Sequence, residues 1–332
     1  MPKYGPHLPG IEKKVRDKIS ELKLVPKYIF DAKKHQERFY TASCRDKKGD
    51  KVIFKMRTED YRETKEAFRR EIEINRLFLQ FYKRSRKLSV PKFIDGDSEH
   101  VPEWMVYEFI EGREAGDFYN GLLKSNIKNF PLESLIAGMK NMQKMSAFAA
   151  GEIKLRAQEY EDFKKAYEVS SNALAPFFDK AQIAQGAEIL RTHGDLLDAK
   201  SVAITHGDFH PGNLIITPGG KIAVIDWYYV HLNNMAFDIA FLYLEIADKK
   251  FRKKVLEKFM AEMVDDDEEF WRLFRLDVLR LVPQKINVLR DALYTVEPKK
   301  EDYYGKLTPQ GIAKLETNLE AWRQALAGEN FL

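Results

Sequence analysis

The sequence predicts an α+β fold in two lobes, on three observations. In the first third, short runs rich in aromatic and β-branched residues alternate with turn-forming stretches, which is the pattern of antiparallel strands. Beyond about residue 113 the apolar residues recur at helical spacing instead. Inside that helical half stands one hairpin signal, where Pro218-Gly219-Gly220 separates two short apolar runs. The chain therefore divides into a first lobe, residues 1–112, and a second, residues 113–332, with Gly112 at the boundary.

The elements of the first lobe follow in order. Ile11, Val15, Ile19 and Leu22 fall on one helical stripe. Tyr28–Phe30, Arg38–Cys44 and Lys51–Arg57 suit three strands, and two more are expected at Phe93–Gly96 and Trp104–Gly112, making five. One long helix runs from about Asp60 to Tyr82. On it Glu71 shares a stripe with Phe68, Ile74, Phe78 and Phe81, so its carboxylate points inward and needs a cation. Lys55 on the third strand is one candidate; Arg69 or Arg70 at the surface is the other. Taken alone, Lys55 reads as a solvated edge charge.

Helices are expected in the second lobe at Leu132–Phe148, Tyr160–Ile183, Ile239–Ile246, Phe251–Val264, Glu268–Leu281, Pro283–Leu293 and Pro309–Leu326. His193-Gly-Asp195 reads as a turn. The run Asp265-Asp-Asp-Glu-Glu269 could draw a cationic substrate, but acids are favoured at a helix start in any case.

Composition narrows the function classes. At 332 residues the chain can bury a sizeable core, and its single cysteine, Cys44, excludes an internal disulfide and suits a reducing compartment. The start, Met1-Pro-Lys-Tyr-Gly-Pro, has no apolar signal core, and no run is long enough to cross a bilayer, so the cytoplasm is the expected location. A formal net charge of +4 is small against 55 basic and 51 acidic side chains, so nucleic acid is disfavoured as a partner despite the basic run Lys83–Lys87.

The chemistry gathers at the mouth of the hairpin. Asp208, Asn213 and Asp226 stand at the ends of its strands, and two carboxylates with an amide suit one hard cation whose remaining ligands are phosphate oxygens. That points to phosphoryl transfer with Mg²⁺. Each residue alone could equally be a turn former bonding its own backbone.

The wording His206-Gly-Asp-Phe-His-Pro-Gly-Asn-Leu214, followed by Ile225-Asp-Trp227, resembles the aminoglycoside phosphotransferase and choline kinase superfamily of small-molecule kinases. The resemblance covers about Tyr28 to Ile246 and implies a bilobal, protein-kinase-like fold. By it, His206 and Asp208 belong to the catalytic loop, with Asp208 contacting the acceptor hydroxyl, and Asn213 and Asp226 hold Mg²⁺. Lys55 corresponds to the lysine that holds nucleotide phosphates, and Glu71 to its partner. The Glu108 carbonyl and the Ile110 N–H would face the base of ATP or GTP, with Tyr107 behind it. Asp238 would brace the loop's backbone, unless it is an ordinary helix-starting aspartate.

The implied reaction moves the γ-phosphate to a hydroxyl of an amino alcohol, a sugar or an aminoglycoside-like molecule. A protein substrate is disfavoured: only about a dozen residues follow Asp226 before the next helix, no A-P-E follows, and Gly207 replaces the Arg of H-R-D. The loop at residues 31–37 lacks the glycines that let backbone approach phosphate. That departure keeps a second reading open, a catalytically weak or inactive binding protein on a kinase scaffold. The sequence identifies neither the acceptor, nor the nucleotide, nor the oligomeric state.

Overall fold

Alternation along the early strands decides which side chains meet which helix. The computed structural model describes residues 6–28, 38–82, 90–149, 153, 155–294, 298–329 and 331–332. The strand expected at Tyr28–Phe30 runs past these residues, and the loop at 31–37 and the run Lys83–Lys87 lie outside them. Two compact units form: Met1–Glu111 with Phe148–Lys154 and Ala223–Val230, and Gly112–Ala147 with Leu155–Ile222 and His231–Leu332.

In the first unit helix α1 (Ile11–Glu21) precedes strand β1 (Val25–Pro26). This strand, not expected from the sequence, lies at a sheet edge where Pro26, having no N–H to give, is tolerated. Strands β2 (Phe39–Arg45) and β3 (Lys51–Arg57) follow, then helix α2 (Arg62–Tyr82) and strands β4 (Phe93–Asp97) and β5 (Trp104–Glu108). The sheet is five-stranded and antiparallel, in the order β1-β2-β3-β5-β4. Tyr40, Ala42, Val52, Phe54, Met56, Trp104 and Val106 make one core with Ile11 and Val15 of α1. Phe93 and Met105 meet Ala67, Phe68 and Ile72 of α2 in a second core. Lys55, flanked in sequence by Phe54 and Met56, points by the period of two away from the α1 core. It therefore faces α2.

The second unit opens with three two-residue strands, β6 (Arg113–Glu114), β7 (Gly116–Asp117) and β8 (Gly121–Leu122), the last two paired as a hairpin. Helices α3 (Lys124–Ile127), α4 (Leu132–Ala149), α5 (Tyr160–Ser170), α6 (Lys180–Thr192) and α7 (Gly194–Lys200) come next. The single helix expected over Tyr160–Ile183 is thus two. A 3-10 turn at Ser171–Leu174 interrupts it, Pro176 follows, and Asp179 starts α6 afresh by accepting the Gln182 N–H. His193-Gly-Asp195 is where α6 ends and α7 begins, rather than a free turn.

Strands β9 (Ala203–Thr205), β10 (Leu214–Ile216), β11 (Ile222–Val224) and β12 (His231–Asn233) carry the loop of interest. Helices α8 (Phe237–Tyr243), α9 (Lys249–Met263), α10 (Asp267–Leu293), α11 (Lys300–Lys306) and α12 (Pro309–Ala327) complete the chain. Two helices were expected where α10 runs unbroken through Pro283. Proline leaves the carbonyl four residues earlier without its donor. Here the Trp322 indole N–H of α12 donates to that Leu279 carbonyl at 3.2 Å, so the helix continues. Among the described residues no helix is long and apolar enough to cross a membrane.

Candidate active site

The first unit gathers Lys55, Glu71 and Asp226. Lys55 Nζ lies 2.9 Å from both Glu71 carboxylate oxygens and 2.7 Å from Asp226 Oδ1. Its partner is therefore Glu71 rather than leaving that carboxylate to Arg69, which instead bonds Glu103 at 3.2 Å. Phe39 and Phe68 rings sit 4.7 and 5.6 Å from the ammonium and Tyr228 lies 5.9 Å away, an apolar wall that still favours a cation. Burial disfavours the Lys55 charge, but Asp226 and Glu71 outweigh it, so the lysine is held above its ordinary range. Burial is the largest influence on Glu71 too, and pushes its carboxyl up to about 7 against the pull of Lys55. Asp226 differs from its partners in being half-exposed, at 48% of its side chain.

Asp226 also stands in the left-handed region, at φ 61° and ψ 68°. Aspartate tolerates that region better than most residues, and strain of this kind gathers at functional sites. The conformation is locked by the next residue: Trp227 is buried, stacks edge-on against Phe78 at 4.5 Å, and donates its indole N–H to the Val224 carbonyl.

The second unit holds the loop between β9 and β10. Its backbone is clamped by Asp238 of α8, whose carboxylate accepts the His206 N–H at 2.7 Å and the Gly207 N–H at 3.2 Å. Glycine is needed at 207, where φ is 82°. Burial raises Asp238 to about 7, against these two donors. Asn213 Nδ2 donates to the Asp208 carbonyl at 2.9 Å and lies 3.4 Å from its Oδ2. His210 Nε2 approaches the same Oδ2 at 3.5 Å, while its Nδ1 accepts the Gly212 N–H. Burial works against a charged His210, but Asp208 overcomes it and the net shift is upward. His206 is wholly buried against Phe209, with Nδ1 facing the Asp208 N–H at 3.3 Å. Its ring supports the loop from within.

The remaining candidates are placed as follows. Glu108 ends β5 and its N–H bonds the Lys92 carbonyl, while the Phe109 N–H reaches the Lys51 carbonyl. The Ile110 N–H has no partner among the described residues. Tyr107 is held above its ordinary range by burial, and senses the charges of Lys55, Glu71 and Asp226. The acidic run serves as a helix start: Asp266 accepts the Glu269 N–H, Glu268 pairs with Arg272, and Glu269 meets Lys200 at 2.6 Å.

Sequence reasoning passed over His210, Glu245, Lys285 and Lys314. The Asp-x-His spacing was a usable signal for the first. The other three lie far apart along the chain, on separate elements, and nothing local marks them.

The chain belongs to the phosphotransferase enzyme family, whose sequence model matches residues 38–275. No curated protein matches the chain. Among solved structures it is similar to a putative aminoglycoside phosphotransferase from Ralstonia eutropha JMP134, with 12% identity, a TM-score of 0.58 and coverage of 95% of this chain and 97% of that one. Choline kinase LicA from Streptococcus pneumoniae has 17% identity, a TM-score of 0.53 and coverage of 95% and 99%. The GDP and kanamycin complex of APH(2")-IIia has 13% identity, a TM-score of 0.57 and coverage of 96% and 99%. These likenesses establish the kinase-like fold, and the family match makes the protein a phosphotransferase by descent.

Proposed function

We propose that the protein is a small-molecule kinase that transfers the γ-phosphate of ATP or GTP to an alcohol group. The observation that carries this reading is the clamped loop: Asp238 fixes the backbone at His206 and Gly207, and Asn213 and His210 fix the Asp208 carboxylate. A carboxylate flanked by two neighbours on a clamped backbone has few rotamers to lose when it orients a hydroxyl. GDP bound to a solved relative supports a nucleoside triphosphate as donor.

In the reaction, the acceptor oxygen bonds to the γ-phosphorus as the bond from phosphorus to the β–γ bridging oxygen breaks, releasing ADP or GDP. The hydroxyl proton passes late to Asp208. An ordinary carboxylate suffices for that, because a loose transition state needs positioning more than deprotonation. His206 acts through the loop and does not touch the acceptor. Lys55, steadied by Glu71, holds the phosphates. The Glu108 carbonyl and the Ile110 N–H receive the base.

The donor set also fits Mg²⁺. Asn213 spends its amide N–H on Asp208, which leaves its oxygen for a hard cation, and Asp226 adds a carboxylate with an exposed edge. When bound, Mg²⁺ would neutralise charge on the phosphate oxygens.

The test is release of nucleoside diphosphate from Mg-ATP or Mg-GTP, with and without a panel of hydroxyl acceptors, beside thermal melting. Each binding nucleotide should raise the melting temperature by mass action. No shift with either one at millimolar concentration would overturn the reading in favour of a kinase-fold binding protein.

A further inference from the structure

Charge in the second unit is concentrated around one buried carboxylate outside the loop just described. Glu245, two residues beyond α8, is 5% exposed and meets Lys285 Nζ of α10 at 2.5 Å and Lys314 Nζ of α12 at 3.0 Å. Burial works to raise its pKa, yet the two ammonium groups draw it down to about 2. Within the triad two ammonium groups outnumber one carboxylate, and among the described residues the only further carboxylate acting on Lys285 is Asp208, which the reaction uses. Each ammonium has three donors. Lys314 spends a second on the Phe118 carbonyl at 2.7 Å. Lys285 makes no hydrogen bond besides Glu245 among the described residues, and its ammonium rests 3.3 Å from the Phe241 ring centroid.

The triad is tied to the Asp208 loop by the β7–β8 hairpin. On one side Leu122 N–H donates to the Glu245 carbonyl at 2.7 Å, and Gly121 approaches that carbonyl so closely that a Cβ would lie 2.1 Å from it. On the other, Gly116 abuts Pro211, two residues before Asn213. The hairpin tip presents Phe118 and Tyr119, each 41% exposed and packed edge-on at 5.1 Å. The start of α12 pins that tip, since Gln310 donates to the carbonyls of Asn120 and Leu122. Asp208, Glu245 and Lys285 all bear electrostatically on His210, which places the three within one field.

A cationic acceptor needs a carboxylate with capacity to spare. Glu245 has none, being saturated by two lysines, and Asp208 is committed to the hydroxyl. The acidic run is no substitute: eighteen residues of α10 separate Asp267 from Lys285, about 27 Å along a helix.

Resting on the phosphotransferase reading above, we propose that the acceptor carries an anionic group, a carboxylate or a phosphate monoester, beside its reacting hydroxyl. Lys285 and Lys314 receive that group, and Phe118 and Tyr119 cover the carbon skeleton. Calorimetric titration with a charge-matched series tests this: 3-amino-1,2-propanediol, glycerol, glycerate and glycerol 3-phosphate, then glucosamine, glucose, gluconate and glucose 6-phosphate. Titrations are run with and without the Mg-nucleoside diphosphate, so the charge preference is measured even where nucleotide binding fails.

In each set an anionic member should bind at least about tenfold tighter than the cationic one, and the better anion distinguishes carboxylate from phosphate. K285M should abolish the preference while leaving the nucleotide-induced rise in melting temperature intact, and K285R should retain it. Where K285M does not fold, K285R and the wild-type series decide the matter. Equal or tighter binding of the cationic members, or binding of no member at millimolar concentration, overturns the proposal. A nucleotide shift accompanied by either result leaves the kinase reading standing.

Discussion

The two units hold ion triads of opposite sense, the first with Asp226 half-exposed. In the first, one lysine is shared by two carboxylates, Lys55 between Glu71 and Asp226, leaving one negative charge in excess. In the second, one carboxylate is shared by two lysines, Glu245 between Lys285 and Lys314, leaving one positive charge in excess. An odd charge in a dry place is costly unless a partner arrives. On the proposals above, the first triad, with the half-exposed Asp226, would receive a cation such as nucleotide-bound Mg²⁺ and the second an anion.

The largest effect is expected at a residue in neither triad. Asp208→Asn should cut turnover by about 10²–10⁴-fold while nucleotide affinity, measured by calorimetry, stays close to wild type. Asp226→Asn should do the reverse in binding, weakening Mg-nucleotide affinity because a charged oxygen is lost. Near-wild-type turnover in Asp208→Asn would remove Asp208 from the mechanism whatever the triads do.

Next comes removal of one carboxylate from each triad, the shared one in the second unit and an outer one in the first. Glu245→Gln strands two lysines in the interior and should cost about 3–5 kcal/mol in urea unfolding. Glu71→Gln leaves Lys55 still joined to Asp226 and should cost less, about 1.5–3 kcal/mol. If the two losses are equal, the shared carboxylate of the second triad matters no more than the outer one of the first.

The pH dependence should separate the triads by sign. Glu245 is depressed from 4.5 to about 2, so its stabilisation is complete above the unfolded value and is lost as pH falls toward 2, by roughly 3 kcal/mol. Glu71 is raised from 4.5 to about 7, so the folded state binds its proton more tightly. Stability then declines by a similar amount as pH rises from about 4.5 through 7. Subtracting the Glu245→Gln and Glu71→Gln profiles from wild type should yield slopes of opposite sign; slopes of the same sign would refute the contrast.

The smallest effect belongs to the acidic run. Glu268→Gln breaks an exposed pair with Arg272 and should change stability by less than about 1 kcal/mol. It should leave acceptor affinity untouched, and a changed affinity would return the run to the acceptor site.

Much of the first unit was legible because its information is local. Alternation around Lys55 and the stripe through Glu71 each fix a direction, and the family resemblance chose Lys55 over Arg69 or Arg70 as the partner. The hairpin turn likewise follows from Pro218-Gly219-Gly220. The splitting of the helix after Ser170 was missed because apolar spacing continues past a break that only capping at Asp179 defines.

By itself, then, the sequence determined the general order of strands and helices, the loop with Asp208 and Asn213, and the inward direction of Glu71 with Lys55 as a candidate partner. Each depends on periodicity or on spacing within a short stretch. Tertiary structure alone decided that α10 passes through Pro283, because the compensating donor, Trp322, comes from a distant helix. It alone decided, too, that Glu245 is saturated. Lys285 and Lys314 arrive 40 and 69 residues later on separate helices, and no local pattern encodes which distant ammonium a buried carboxylate will meet.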